Sequence, residues 1–257
     1  MKYRSEREVR VLYFDSLPST NTEALSQAKR GASEGLCVVA REQTAGKGRN
    51  GREWVSNKDS GLYLSALLRP DIPQEKIPLV TLAAAVAVHE TLRELYDIRA
   101  DIKWPNDLLK DNKKICGILC EAVKTQDGMA VVIGIGINLL RADISDAIGD
   151  TATSVEQETG RKSDREELIS SLVRGLFRYC DKLSNNVGRL EVLEDWSERS
   201  TWSKGKAVRA ELDTGPFEGT TQGIDLETGG LIVSTPTGEV IVKAGDVTSI
   251  RQTAYGN

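Results

Sequence analysis

Gly46-Lys-Gly-Arg-Asn-Gly51, inside a polar loop over residues 41–52, satisfies the spacing GxGxxG. In a dinucleotide-binding βαβ unit such a run follows a strand and opens a helix, which places phosphate on the helix N-terminus. Here Leu36 to Ala40 reads as the preceding strand, but the glycines lead into Arg52-Glu-Trp-Val-Ser and then a strand-like run, Leu62 to Leu68. No helix opens at the glycines, so the dinucleotide reading is rejected. A Walker A loop fails too, because Arg52-Glu53 stands where Lys-Ser or Lys-Thr is needed. What remains is local chemistry. Three glycines let main chain pass close to a ligand, and Lys47, Arg49 and Arg52 gather three cations against only Glu42 nearby. In a chain of net charge −4 this local reversal of sign points to an anion, phosphate or carboxylate. A surface loop with solvated charges is the competing reading.

Outward from the loop, Val9 to Phe14 reads as a short strand, and Thr20-Asn-Thr-Glu23 has capping-box spacing ahead of a helix to about Lys29. Gln74 to Tyr96, with Pro78 near its start, reads as a long and largely buried helix. Ile115 to Val123 and Met129 to Leu139, separated by Asp127-Gly128, read as a hairpin. From Asp143 to Arg199 the pattern is helical, with Leu168, Leu172, Leu176 and Tyr179 on one face. Residues 203–251 change to short Val- and Ile-bearing stretches separated by glycine turns about ten residues apart, the spacing of a small antiparallel barrel. The linker is placed near Ser200 to Lys204, which divides the chain into domains over 1–202 and 203–257.

Composition sets the outer bounds. At 257 residues, 39% hydrophobic and 28% charged, the chain is long enough for a core that needs no disulfide or metal staple. No apolar run reaches membrane-spanning length, and the polar start is unlike a signal peptide, so a cytoplasmic protein is expected. The acidic balance of 38 Asp and Glu against 34 Lys and Arg argues against nonspecific nucleic-acid binding. Cys37, Cys116, Cys120 and Cys180 form no CxxC pair and read as reduced core thiols. His89, the one histidine, sits in an apolar helical run and reads as structural, which leaves a Ser-His-Asp triad or a two-His zinc site few places to exist. No metal-ligand set is assigned.

A second polar stretch, Lys103-Trp-Pro-Asn-Asp107, interrupts a strand region and is followed by Lys113-Lys-Ile-Cys-Gly117. Proline there removes a ladder donor and turns the chain, which frees side chains for a cleft. Asn106 suits an adenine edge or a phosphate. Lys114, at the start of an apolar strand, reads either as a partly desolvated point charge or as an ordinary strand-end lysine in solvent.

Taken together, Ser19-Thr-Asn21, Glu42 to Arg52, Lys103 to Asp107, Lys113-Lys-Ile-Cys-Gly-Ile-Leu-Cys-Glu121 and Gly134-Ile-Gly-Ile-Asn138 resemble the biotin protein ligases, in that family's order and spacing across essentially the whole chain. The resemblance implies an α+β fold: a mixed, mainly antiparallel sheet with flanking helices, of the class II aminoacyl-tRNA synthetase and biotin ligase type, followed by a small SH3-like β-barrel. Some members carry an N-terminal DNA-binding domain and act as repressors. Only about eight residues precede the first strand here, so the ligase-only class is expected.

What the resemblance implies chemically is a two-step reaction: biotin and ATP give biotinyl-5′-AMP and pyrophosphate, and a lysine of a biotin carboxyl carrier protein or domain then takes the biotinyl group. ATP and Mg²⁺ are the implied cofactors, and acetyl-CoA carboxylase is the usual acceptor. By the same carry-over Ser19, Thr20, Asn21 and Gln43 meet the ureido ring of biotin, and Lys47, Gly48 and Arg49 close over biotin and the phosphates. Gly46, Arg52, Trp54, Lys103, Asn106 and Asn138 belong to the nucleotide side. Lys114, Arg49 and Asp107 are the implied catalytic set, Lys114 between carboxylate and α-phosphate. The loop departs from the family's common Gly-Arg-Gly-Arg at Lys47, which keeps charge but loses a bidentate fork. The loop is expected to be mobile until ligand orders it. Lipoate ligases and octanoyl transferases, thought to share the fold, are the rival enzymes, and a noncatalytic biotin or nucleotide sensor is the rival from another class. No nucleic-acid or membrane partner is expected, and the number of subunits stays open, a homodimer included.

Overall fold

The computed structural model describes residues 8–140, 150–212, 215–243 and 245–249. Its larger part is a seven-stranded sheet made of β1 (Arg10–Phe14), β2 (Leu36–Ala40), β3 (Gly61–Leu68), β4 (Asp101–Lys103), β5 (Asp107–Lys110), β6 (Lys113–Thr125) and β7 (Gly128–Asn138), in the order β1-β2-β3-β7-β6-β5-β4. Only β1 and β2 run parallel; the other neighbours are antiparallel. The parallel pair exists because its connection contains a helix, α1 (Thr20–Lys29), long enough to return the chain to the same end of the sheet.

Alternation along the strands divides the core in two. Cys37 and Val39 of β2 and Leu62, Leu64 and Ala66 of β3 face one side, with α2 (Pro78–Tyr96) and α4 (Arg165–Lys182). Leu36 and Val38 of β2 and Leu67 of β3 face the other, against Ala24 and Ala28 of α1. Burial on both faces is why β2 is apolar throughout. α2 is buried from Leu79 through Leu92 apart from the half-buried Thr81, at roughly 1.5–3 kcal/mol for each large aliphatic side chain removed from water. His89 in this helix is structural, its Nδ1 lying 2.6 Å from Ala100 O.

Three boundaries differ from the sequence expectation for local reasons. Ser19, not Thr20, caps α1, its Oγ accepting from Thr22 N at 3.5 Å. The expected helix from Gln74 is a 3₁₀ turn, Gln74–Lys76, followed by α2 with Pro78 in its first turn, where a missing N–H costs nothing. The β6–β7 turn is Gln126-Asp127, and Gly128, at φ 99°, opens β7. Within the helical segment, residues 143–149 lie outside the described residues; beyond them stand α3 (Val155–Thr159), α4 and α5 (Asn186–Glu198). Leu168, Leu172, Leu176 and Tyr179 of α4 are buried together.

The C-terminal part is a five-stranded antiparallel sheet of β8 (Lys204–Leu212), β9 (Gly215–Ile224), β10 (Leu231–Thr235), β11 (Gly238–Val242) and β12 (Asp246–Ser249), in the order β11-β10-β9-β8-β12. It is anchored on the larger part. Trp104 Nε1 donates to Gly229 O at 3.0 Å, and Gly229, at φ 71°, packs so closely on Leu79 that a Cβ would lie 2.8 Å from its side chain. Two ammonium groups lie over the Trp202 ring, Lys103 Nζ at 4.9 Å and Lys206 Nζ at 5.0 Å from its centre. Among the described residues no helix is long and apolar enough to cross a membrane.

Candidate functional site

The 41–56 segment leaves β2 and returns on itself. Gln43 N donates to Ser56 O at 3.1 Å, Trp54 N to Gly46 O at 2.9 Å and Gly48 N to Arg52 O at 2.7 Å. The glycines serve this path in different ways. A Cβ on Gly46 would sit 2.2 Å from Trp54 O, and Gly51 follows Asn50 into the left-handed region at the tip, with φ 73° and 55°. Only Gly48 of the three lines the cavity where the site residues meet, so the glycines shape the loop as much as they admit a ligand.

That cavity, about 120 Å³, draws its walls from the loop, the start of α1, the turn between β4 and β5, and the middle of β6 and β7. Ser19, Thr20, Asn21, Gln43, Lys47, Gly48, Arg49, Arg52, Trp54, Asn106, Asp107 and Lys114 all line it. Sequence segments more than 90 residues apart therefore meet in one place. Gly46 lies instead on an adjoining groove of about 980 Å³, which the loop shares with the start of α2 and with Gly229 and Lys243 of the C-terminal part.

One end of the cavity is neutral and hydrogen-bonded. Thr20 N and Thr20 Oγ1 both donate to Gln43 Oε1, at 2.9 and 3.1 Å, and Gln43 Nε2 donates to Ser56 Oγ at 2.8 Å. The Asn21 amide donates to Leu119 O at 3.1 Å and to Glu121 Oε2 at 2.8 Å. Asn21 reaches that place only because β7 has Gly134 there: a Cβ would fall 2.0 Å from Asn21 Oδ1.

The opposite end is charged. Lys114 Nζ lies 2.7 Å from Asp107 Oδ1 and 5.2 Å from the centre of the Trp54 ring. Gly117 and Gly136 are cross-strand neighbours, and a Cβ on either would strike the Trp54 indole at 2.8 or 2.5 Å, so the ring lies on bare main chain. Asn106 holds the β4–β5 turn to β6, donating from Nδ2 to Ile118 O at 2.7 Å while its Oδ1 accepts from Arg49 Nη1 at 3.4 Å. Burial lowers the Arg49 pKa, partly opposed by Asp107 and reinforced by Arg52. Desolvated cations of this kind exert a stronger field than exposed ones, and an entering anion relieves their mutual repulsion.

Two expected residues stand back from the cavity wall. Lys103 is turned toward Trp202, and burial lowers its pKa against the pull of Asp107. Asn138 spends its amide on Lys114 O at 3.2 Å and Thr153 O at 3.0 Å, so it fixes the strand that carries Lys114. Sequence reasoning passed over Ser56, Ser65 and Glu121, which brace the neutral end, and Glu53, a second carboxylate on the wall. Ser65 had a signal: it is the one small polar side chain within the run Leu62 to Leu68. Among the described residues no group of three or more His, Cys, Asp or Glu could hold a metal ion. The four cysteines are free, and burial pushes the Cys37 and Cys120 thiols up to about 12 and Cys116 higher still. An arrangement with no activated nucleophile, a neutral polar end and a cationic end suits joining two anionic reactants rather than covalent catalysis.

Comparison with known proteins gives the same bearing. Residues 13–138 match the Biotin/lipoate A/B protein ligase family, and residues 205–248 match the Biotin protein ligase C terminal domain. The Bifunctional ligase/repressor BirA of Bacillus subtilis is 40% identical over 241 residues, 92% of this chain and 73% of that protein. The Biotin--[acetyl-CoA-carboxylase] ligase of Paracoccus denitrificans is 36% identical over 236 residues, 89% of this chain and 96% of the relative. Among solved structures, the biotin protein ligase of Aquifex aeolicus in complex with biotin and ATP superposes with a TM-score of 0.78 at 29% identity, covering 93% of this chain and 97% of that one.

Proposed function

The chain belongs to the biotin/lipoate A/B protein ligase family, and from that premise we propose that it is an ATP-dependent biotin--protein ligase whose two half-reactions share the cavity between Gln43 and Lys114. In the first, a biotin carboxylate oxygen attacks the α-phosphorus of ATP, the α–β bridging P–O bond breaks, and biotinyl-5′-AMP and pyrophosphate form. In the second, the ε-amine of an acceptor lysine attacks the acyl carbon, AMP leaves with the electron pair of the C–O bond, and the amine loses a proton. The acceptor is the biotin carboxyl carrier protein or domain of acetyl-CoA carboxylase or a related carboxylase. The observation that carries this reading is the convergence of Arg49, Arg52 and Lys114 on one cavity whose far end is neutral.

Each residue then has a task. Ser19, Thr20, Asn21 and Gln43 receive the cyclic urea, and Lys47, Gly48 and Arg49 cover biotin and the phosphates. Arg52 and Asn106 stand on the nucleotide side, where Trp54 offers a stacking face. Gly46 supports it by shaping the loop and Asn138 by fixing the Lys114 strand, while Lys103 stands behind it with its ammonium over Trp202. Lys114 and Arg49 offset the repulsion of carboxylate and phosphate and stabilise charge that grows at the transferring group. Asp107, 2.7 Å from Lys114, is placed to orient the acceptor lysine or take its proton.

Mg²⁺ fits as a passenger of the nucleotide. The wall carboxylates are Glu53 and Asp107, and Mg²⁺ is commonly held by one or two carboxylates with substrate phosphates and water. When bound it neutralises phosphate charge. We assign residues 1–202 to catalysis and 203–257 to a second domain, a division supported by the change from one sheet to the other after Trp202. A fatty acyl substrate is disfavoured by the polar Thr20–Gln43 end, and an acyl-cysteine route by the raised thiol pKa values. The test is to mix the protein with biotin, MgATP and a carrier domain and weigh the carrier. A gain of one biotinyl group is expected; no gain, where a control ligase succeeds, rejects the proposal.

A further inference from the structure

At the neutral end of the cavity, Thr20 and Asn21 on the wall are backed by a layer of buried polar groups behind them. Ser65, on the α1 face of β3, is 0% exposed, and Thr20 and Asn21 are each 3% exposed. Ser65 Oγ lies 2.6 Å from Asn21 Oδ1 and 2.8 Å from Thr20 Oγ1. Buried hydroxyls of this kind persist only where their bonds are made, because an unmade one costs stability.

The polarity of the layer follows from its fixed members. Leu119 O and Glu121 Oε2 accept only, so the Asn21 nitrogen must face them and its oxygen must face Ser65. The single Ser65 hydrogen goes to Asn21 Oδ1, which can only accept, so the Thr20 hydroxyl spends its own hydrogen on Gln43 Oε1 or on Ser65 Oγ and in either case faces the cavity as an acceptor. Gln43 is oriented in turn, its oxygen held by Thr20 and its nitrogen by Ser56. A flipped Asn21 would set its oxygen against a carbonyl and a carboxylate, so Glu121 excludes that state.

We propose that Ser65 and Glu121 are positioning residues for ligand selection: through Asn21 and Thr20 they hold the Thr20 hydroxyl as a hydrogen-bond acceptor, the polarity that a cyclic urea N–H requires. The inference rests on the biotin ligase reading and extends it to two residues outside the cavity wall. It also moves Asn21 from direct ligand contact to the supporting layer, since both hydrogens of its amide are already spent on Leu119 and Glu121.

The experiment compares wild type, Ser65→Ala, Glu121→Ala and Glu121→Gln by calorimetric titration with biotin alone, by the KM for ATP in biotin-dependent pyrophosphate exchange, and by thermal unfolding. Ser65→Ala and Glu121→Ala are expected to weaken biotin binding about tenfold, the scale of one oriented hydrogen bond, with the KM for ATP within twofold. Glu121→Gln keeps an acceptor oxygen for Asn21 and is expected to recover most of the affinity. Unchanged biotin affinity in both alanine variants overturns the inference. So does a parallel loss of biotin affinity, ATP affinity and melting temperature, which marks a purely structural layer. A wild-type protein that binds no biotin defeats the ligase reading first, and the inference with it.

Discussion

Lys114→Ala is the sharpest test of the electrostatic argument. The ammonium sits 2.7 Å from Asp107 Oδ1 on the cavity wall, with about a third of its side chain exposed. At roughly 4 Å from a transferring phosphoryl group and an effective dielectric constant near 20, a unit charge is worth about 4 kcal/mol. Partial exposure halves that to about 2 kcal/mol, which is about 30-fold in rate. The substitution also strands the Asp107 carboxylate beside an incoming anion, and that repulsion carries the expected loss to 100-fold or more. The assay is biotin-dependent exchange of labelled pyrophosphate into ATP, which reads the first half-reaction without any acceptor. Pairing Lys114→Ala with Asp107→Asn removes the stranded charge and is expected to restore part of the exchange. A single variant that exchanges within threefold of wild type refutes the assignment of Lys114 as the main electrostatic catalyst.

Four further outcomes follow from other parts of the molecule. Gly134→Ala puts a methyl 2.0 Å from Asn21 Oδ1, so biotin affinity is expected to fall by tenfold or more in calorimetry while the protein stays folded by circular dichroism. Trp104→Phe removes the donor to Gly229 O and underfills a buried site, at about 1–3 kcal/mol and a melting temperature several degrees lower. His89, its pKa lowered chiefly by burial, is neutral in the fold, so its contribution is complete above the ordinary histidine value near 6.5 and is lost as pH falls below it; His89→Gln should flatten that limb in urea titrations at several pH values. Hydrogen exchange across residues 44–54 should slow when biotin and MgATP are added, and equal protection with and without them rules out a closing loop.

How far the sequence could be read depended on whether a residue's partner is local. β2 was legible end to end because a strand covered on both faces is apolar at every position. The start of α1 was displaced by one residue because Ser19, Thr20 and Thr22 are all competent caps, and only the backbone of Ser19, at φ −161°, chooses between them. The loop cations were recognisable as charge against an acidic background, whereas Lys114 read as well as an ordinary strand-end lysine and was singled out only by the family resemblance. Ser65 and Glu121 were not, because their meaning depends on Asn21, more than 40 residues away in sequence. The glycines misled in a different way: Gly46 answers to its own loop's main chain, and Gly134 to a side chain of α1.

The pairing of Gly117 with Gly136 under Trp54 limits how this site can be redesigned. A platform of peptide units offers no side chain to trim, so the room above it is set by the indole, with the Lys114 side chain beside it over Gly117. Adapting the enzyme to a bulkier congener of its small-molecule substrate therefore begins at position 54, and any methyl added to either glycine makes that adaptation harder.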